Sequence, residues 1–284
     1  MTLTPLLPLM YEPLVRTALL EDLGRAGDIT ADAIVPADKQ ASLVLRARQP
    51  GVVAGLDIAR CAFQLVNPAI RLTAERPDSS VVTPGDVIAT IEGPARGLLT
   101  GERTALNFLC HLSGVATATA SLVSAAQGTK ARIVCTRKTT PGLRALEKYA
   151  VRAGGGSNHR FGLDDAILIK DNHIAVAGGI KAVLTRAKAA AGHLVKIEIE
   201  VDTLDQLKEV LDVGLADVAL LDNMKPAMMK QAVELVSGRL VLEASGGITH
   251  ASAAAVAETG VDYLSSGAIT HSAISLDIGL DIEM

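Results

Sequence analysis

From about residue 115 onward the chain repeats one pattern: a short apolar run, a polar cluster, then a stretch long enough for a helix. The runs fall at Arg132-Ile-Val-Cys-Thr136, Ala166-Ile-Leu-Ile169, Val195-Lys-Ile-Glu-Ile-Glu-Val201, Asp217-Val-Ala-Leu-Leu221, Leu240-Val-Leu242 and Val261-Asp-Tyr-Leu264. Helix-length segments such as Thr203 to Val213 and Lys225 to Val236 lie between them. Strands alternating with helices predict a parallel sheet or barrel. A complete eight-unit barrel takes ~250 residues. Only about 170 are left here, so the pattern predicts an incomplete, open TIM-like α/β barrel.

The first hundred residues read differently. Tyr11 to Asp22 has helical character, Ala41–Arg46 and Val87–Ile91 are β-type runs, and Pro50-Gly51 and Pro84-Gly85-Asp86 mark turns. This predicts an α+β domain with an antiparallel component. The last segment, Leu276-Asp-Ile-Gly-Leu-Asp-Ile-Glu283, alternates strictly and reads as a half-buried strand outside the parallel core. The expected organisation is an N-terminal α+β domain over 1–114, the α/β barrel over 115–272, and a C-terminal strand over 273–284 packing on the N-terminal domain.

Composition narrows the function. Lys plus Arg number 27 against 31 Asp plus Glu, a net charge of -4, and aromatics are 2% with no Trp. Binding nucleic acid by phosphate neutralisation and base stacking is disfavoured on both counts. Three cysteines without CxxC spacing support neither a disulfide framework nor a zinc site. Residues 1–13 lack a basic flank and are broken by Pro5, Pro8 and Pro13, so they do not read as a signal peptide. Thr104 to Thr129 carries no Lys, Arg, Asp or Glu, but its many Ser and Thr favour a buried helix or helix pair over a bilayer span. The expectation is a soluble cytoplasmic protein with no membrane or nucleic-acid partner.

The polar residues at the end of each apolar run carry the chemistry. The runs lead into Arg137-Lys138, Lys170-Asp171-Asn172-His173, Asp222-Asn223, Glu243-Ala-Ser-Gly-Gly247 and Ser265-Ser-Gly-Ala268, and the third contains Glu198 and Glu200. In parallel strands these clusters converge on one rim, the C-terminal face where barrel active sites are built. Between Cys135 and Ala175 bases outnumber acids, which inside an acidic chain points to an anionic ligand. Arg144, Lys148 and Arg152 sit at i, i+4 spacing and read more simply as a solvated helix face. Gly154-Gly-Gly156 permits close approach of a ligand, or is only a turn. Ser245-Gly246-Gly247 and Ser266-Gly267-Ala268 resemble phosphate cradles on adjacent late strands.

Longer motifs now become recognisable. Thr136-Arg-Lys-Thr-Thr-Pro-Gly-Leu-Arg144, Gly154-Gly-Gly-Ser-Asn-His-Arg160, Leu168-Ile-Lys-Asp-Asn-His173, Glu198-Ile-Glu-Val201, Leu220-Leu-Asp-Asn223 and Ser266-Gly-Ala-Ile-Thr-His271 closely resemble the quinolinate phosphoribosyltransferases, also called nicotinate-nucleotide pyrophosphorylases (carboxylating). Asp28-Ile-Thr30, Gly51-Val-Val-Ala-Gly55 and Glu102-Arg-Thr-Ala-Leu-Asn107 are similar to the family's N-terminal domain. Cys135 departs from the pattern, since many members carry an acid there.

The resemblance implies phosphoribosyl transfer from phosphoribosyl pyrophosphate to quinolinate with loss of CO2, giving nicotinate mononucleotide and pyrophosphate for NAD biosynthesis. Lys138, Lys170, Glu200 and Asp222 are then the expected catalytic residues. The expected substrate contacts add Arg103, Thr136, Arg137, His159, Arg160, Ser245, Gly246, Gly247, Ser266, Gly267 and Ala268. Mg²⁺ would accompany phosphoribosyl pyrophosphate, with no metal held by the protein itself. Arg103 would reach the active site of a partner subunit, implying a homodimer or higher oligomer with shared sites. A related phosphoribosyltransferase with another acceptor is the near alternative. A Schiff-base aldolase using Lys138 or Lys170 is a second, and a lipoyl-carrier-like hairpin at Pro84–Glu92 a third.

Overall fold

Contacts in the computed structural model, which describes residues 3–282, group the chain into two units. The first takes the residues up to 120, then 140–155, then 272 onward; the second takes 121–139 and 156–271.

The first unit begins with a 3-10 turn at Pro8–Met10, α1 (Glu12–Leu23) and α2 (Ile29–Ile34). Asp28 caps α2 by accepting the backbone N–H groups of Thr30 and Ala31 at 3.1 and 2.9 Å. Then come β1 (Gln40–Ala47), β2 (Gly51–Val52), α3 (Leu56–Val66), β3 (Arg71–Ala74), β4 (Val81–Val82), β5 (Val87–Pro94), α4 (Ala95–Ala125) and α5 (Arg144–Ala153). β5 lies between β1 and β3, antiparallel to both. Leu43, Ile91 and Leu72 stand in one row across the three strands, all buried. A lipoyl-type hairpin needs a lysine at its turn, and none lies between Lys39 and Lys130, which removes that alternative for Pro84–Glu92.

The uncharged stretch is explained by α4. This helix is long and apolar enough by length and composition to cross a membrane. Its Leu98, Leu109, Leu112, Val115 and Ala116 are nevertheless fully buried, as in a core helix. Its small polar residues have partners: Ser113 and Thr117 accept the N–H groups of Ala54 and Val52 at 3.0 and 2.9 Å. Polar side chains on a buried helix are tolerated when they satisfy such backbone donors.

The second unit contains β6 (Arg132–Val134), β7 (Ile167–Ile169), α6 (Asp171–Ala177), α7 (Ile180–Ala190), β8 (Ile197–Val201), α8 (Leu204–Val213), β9 (Val218–Asp222), α9 (Pro226–Val236), β10 (Val241–Ser245), α10 (His250–Ala257), β11 (Tyr263–Ser265) and the short α11 (Ala268–His271). Its six strands run parallel in the order β6-β11-β10-β9-β8-β7. Among the described residues the two edge strands, β6 and β7, are not paired, so the barrel is open. The register explains the alternation of β8. Ile197, Ile199 and Val201 share a face with Ala219, Leu221, Leu242, Ala244 and Leu264, all buried. Glu198 and Glu200 stand on the other face, in the rows of Leu168 and Leu220. Each large aliphatic side chain so buried contributes about 1.5–3 kcal/mol, which fixes the register and with it the face the acids occupy.

The chain ends with β12 (Ile278–Ile282), antiparallel to β1, where Leu45 faces Leu280. Glu283, the end of the alternating segment, lies outside the described residues. The expected boundary at 114/115 lies within the continuous helix α4, and the contact grouping divides the chain at 120. Residues 140–155 also belong with the first unit rather than the barrel. There Tyr149 donates to Asp78 at 2.6 Å and His111 meets Glu147 at 2.9 Å, so α5 is bound to α4 and the loop before β4. The solvated-face reading of α5 fails too: Lys148 is 2% exposed and Arg144 is part-buried.

Candidate active site

On its polar face the parallel sheet opens into a cavity of about 630 Å³. It is lined by Thr136, Arg137 and Lys138 beyond β6, His159 and Arg160, Lys170 beyond β7, Glu200 on β8, Asp222 on β9, and Ser245, Gly246 and Gly247 at the end of β10. Eleven of the fifteen residues expected at the site therefore surround one space. The other four do not line it. Arg103 lies on α4 in the first unit, exposed, beside a separate cavity of about 380 Å³ with Asn107 and His111. Ser266 is buried and donates its hydroxyl to the Ile248 carbonyl at 3.1 Å, while Gly267 and Ala268 lie behind the lining, which stops at Ser265. A Cβ on Gly267 would stand 2.9 Å from Lys138 Cδ, so this glycine makes room for the lysine stem.

The cavity has a basic side and an acidic side. On the basic side, Arg160 Nη1 donates to the Ala166 carbonyl at 2.9 Å, and its Nε is buried without a partner in the chain. Burial and the adjacent Arg137 guanidinium pull Arg160 below the ordinary guanidinium value. A buried N–H facing a cavity is a donor prepared for a ligand acceptor. On the acidic side, Lys170 Nζ lies 3.4 Å from Glu200 Oε1. Burial raises the Glu200 carboxyl, partly offset by Lys170, with Asp222 and Asp171 adding to the rise. Asn223 orients Asp222 by donating Nδ2 to its Oδ2 at 2.7 Å.

The loop after β10 is shaped by necessity. Gly246 has φ +97°, and a Cβ there would lie 2.1 Å from Asn223 Oδ1. Gly247, at φ +59°, faces open space. The glycines at 154–156 play no comparable part. Gly154 packs against the Ala116 carbonyl, 2.2 Å from where a Cβ would be, and none of the three lines the cavity. In Lys170-Asp-Asn-His173 the histidine is a capping residue, its Nδ1 accepting the Lys170 N–H at 2.9 Å at the start of α6.

His159 lines the cavity and is held through both ring nitrogens. Its Nδ1 accepts the backbone N–H of Arg160 at 2.7 Å, so a neutral ring carries its proton on Nε2. That nitrogen faces Glu198 Oε2 at 3.0 Å and Glu243 Oε1 at 3.6 Å. With both nitrogens engaged, His159 braces Arg160 and the two acids rather than donating to a ligand. Glu198 and Glu243, 7% and 5% exposed, are absent from the expected set. The available signal was the alternation of β8, which puts Glu198 on the face of Glu200. Burial, then the charge of Glu198, pushes the Glu243 carboxyl up to about 7. The donor atoms of this trio lie within 4.8 Å of one another. Arg160 and Arg137 beside them already supply positive charge, and we assign the trio no metal. Cys135 is fully buried, outside the lining, with Sγ 3.4 Å from Asn158 Oδ1.

Comparison with known proteins agrees along the whole chain. Residues 28–113 match the quinolinate phosphoribosyl transferase N-terminal domain, and residues 115–281 its C-terminal domain. A probable nicotinate-nucleotide pyrophosphorylase [carboxylating] of Bacillus subtilis is 44% identical over 276 residues, covering 97% of this chain and 94% of that protein. The Mycobacterium leprae nicotinate-nucleotide pyrophosphorylase [carboxylating] is 46% identical over 94% of this chain and 95% of its own length. The crystal structure of NadC from Streptococcus pyogenes superposes with a TM-score of 0.94 at 40% identity, over 99% of this chain and all of that one.

Proposed function

The chain belongs to the quinolinate phosphoribosyl transferase family, and from that premise we propose that it transfers the phosphoribosyl group of phosphoribosyl pyrophosphate to quinolinate with loss of CO2. The products are nicotinate mononucleotide and pyrophosphate, feeding NAD biosynthesis. The observation that carries this reading is the cavity itself, which gathers Arg137, Lys138, Arg160 and Lys170 around one space with Glu200 and Asp222.

Each set of charges suits one part of the reaction. Quinolinate is a planar dianion, and guanidinium forks match carboxylates in geometry and charge. Arg137 and Arg160, the latter with a buried donor to spare, bind its two carboxylates. Departure of pyrophosphate builds positive charge on the ribose, which Glu200 and Asp222 stabilise. Lys138 and Lys170 take up charge on the departing pyrophosphate. Backbone amides of the loop at Ser245–Gly247 hold phosphate oxygens. The donor set on the acidic wall, with Asp171 and Asp202 joining Glu200 and Asp222, is all oxygen, which suits the water shell of a Mg²⁺ that arrives with phosphoribosyl pyrophosphate. Such an ion supplies charge neutralisation on the pyrophosphate; the residues supply position.

Arg103 is proposed to complete the site of a partner subunit in a homodimer, a role compatible with its exposure on α4. The aldolase alternative is disfavoured because Lys170, 48% exposed and paired with Glu200, lacks the desolvated setting of a Schiff-base amine. The test is an assay with quinolinate and phosphoribosyl pyrophosphate that scores CO2 and mononucleotide together. Equal yields of both are expected, with nicotinate inert. Turnover of nicotinate without reaction of quinolinate would overturn the assignment.

A further inference from the structure

Once its nitrogen carries the ribose, quinolinate still has to lose a carboxylate, and the ring carbon left behind needs a proton. The cations and acids assigned above do not supply one. Arg137, Arg160, Lys138 and Lys170 are donors to anions, and Glu200 and Asp222 are needed as charges.

The trio at His159 is built for this other task. Glu243 lines the cavity although it is only 5% exposed, and its Oε1 has no hydrogen-bond partner in the chain. Glu198 also has a buried Oε1 without a partner, but it is not part of the lining, and its Oε2 takes the His159 Nε2–H at 3.0 Å. Two carboxylates this close to one imidazole do not both ionise easily, so one holds a proton and the other the charge. The histidine's proton is committed to Glu198, which leaves Glu243 as the neutral acid, consistent with the elevation of its carboxyl to about 7. His159 is also joined through the Arg160 N–H to the residue proposed to hold a substrate carboxylate. The departing carboxylate and the acid thus share one wall.

We infer that Glu243 is the catalytic acid that protonates the ring carbon when the carboxylate leaves, with His159 and Glu198 as its positioning residues. In that step the carbon–carboxylate bond breaks and CO2 departs, while the bonding electron pair stays on the ring carbon. The pair takes the Glu243 proton, and Glu243 is left as a carboxylate that water reprotonates. The inference rests on the activity proposed above.

The test is single-turnover chemistry with the full-length protein, quinolinate and phosphoribosyl pyrophosphate, timing pyrophosphate and CO2 separately. Glu243→Gln is expected to release pyrophosphate at close to the unaltered rate but CO2 at least ~100-fold more slowly, with Glu243→Asp recovering part of the loss. CO2 release at the unaltered rate in Glu243→Gln overturns the assignment. Equal slowing of both products overturns it as well, because a structural role would act on both. If the variant does not fold, the unaltered protein still decides. Its CO2 step is expected to slow with rising pH by up to ~10-fold per unit while its pyrophosphate step does not follow, and a pH-independent CO2 step refutes the idea. The groups that act on Glu243 are Glu198 from β8, His159 from the loop after α5 and a hydrogen bond from Ser265 of β11; β11 also sets Tyr263 beside it, β9 presents Leu220, and Arg160 with Arg137 adjoins Glu198. If the unaltered protein yields neither product, the proposed activity fails, which is distinct from a protein that makes both while Glu243→Gln is indifferent.

Discussion

Placing alanine at Gly246 and, separately, at Gly247 isolates what the loop after β10 contributes, because the neighbours demand different things of the two residues. Both have positive φ, +97° and +59°, so each alanine incurs the left-handed penalty of about 1–2 kcal/mol. At Gly247 nothing lies within 4 Å of the new methyl, and the cost ends there. At Gly246 the methyl would sit 2.1 Å from Asn223 Oδ1 and 3.0 Å from the Asn223 backbone nitrogen. The asparagine side chain has to leave, losing its 2.7 Å bond to Asp222, and the backbone bond from Asn223 N to the Ser245 carbonyl is strained as well. One exposed hydrogen bond adds roughly 0.5–1.5 kcal/mol, for a total near ~2–4 kcal/mol against ~1–2 for Gly247→Ala. Urea denaturation measures the two stabilities, and steady-state kinetics measures KM for phosphoribosyl pyrophosphate and kcat. Gly246→Ala should be the less stable and also lose kcat, since Asp222 is no longer oriented, whereas Gly247→Ala should keep kcat and show its effect in stability and in KM for phosphoribosyl pyrophosphate. Equal effects in both assays would refute the assignment of Asn223 as the link between the loop and Asp222.

Arg160→Ala and Arg137→Ala should each weaken quinolinate binding by ~2–5 kcal/mol, read by calorimetry; unchanged affinity in both removes the basic wall from the substrate site. Glu200→Gln and Asp222→Asn should lower kcat far more than they raise the Kd for quinolinate, and near-normal turnover at saturation would make these acids structural. Arg103→Ala and Lys138→Ala homodimers should each be nearly inactive, yet recover roughly a quarter of full activity once mixed and shown to exchange subunits, one intact site forming per heterodimer. Burial raises the Glu147 carboxyl, but hydrogen bonds from His111 and Thr140 outweigh it and leave the group below its usual value. Its stabilisation is therefore present above the unfolded value of ~4.3 and lost as pH falls towards the folded one, so Glu147→Gln should lose more Tm at pH 7 than at pH 4.

The parts of the fold that were legible are those where a period meets one buried face. Ile197-Glu-Ile-Glu-Val201 announces both a strand and the face its acids occupy, because the sheet buries apolar side chains on one side and opens the cavity on the other. The convergence of Arg137, Lys170, Glu200, Asp222 and Ser245 comes from that parallel register without any knowledge of loops. The contact grouping divides the chain within α4, at 120, and nothing local in that helix marks the point where its contacts change. Lys148 has a solvated pattern for a similar reason: i, i+4 spacing locates a helix face but does not say whether another element covers it. The same limit hides Glu243 and the bracing role of His159. Glu243 closes a run of only three apolar residues and has the pattern of one more polar strand end. Its meaning depends on Glu198 from a strand two places away in the sheet and on an imidazole from the loop after α5. A period exposes what a single element does. A proton shared between acids on different strands belongs to the register, and only the assembled sheet brings those acids to one imidazole.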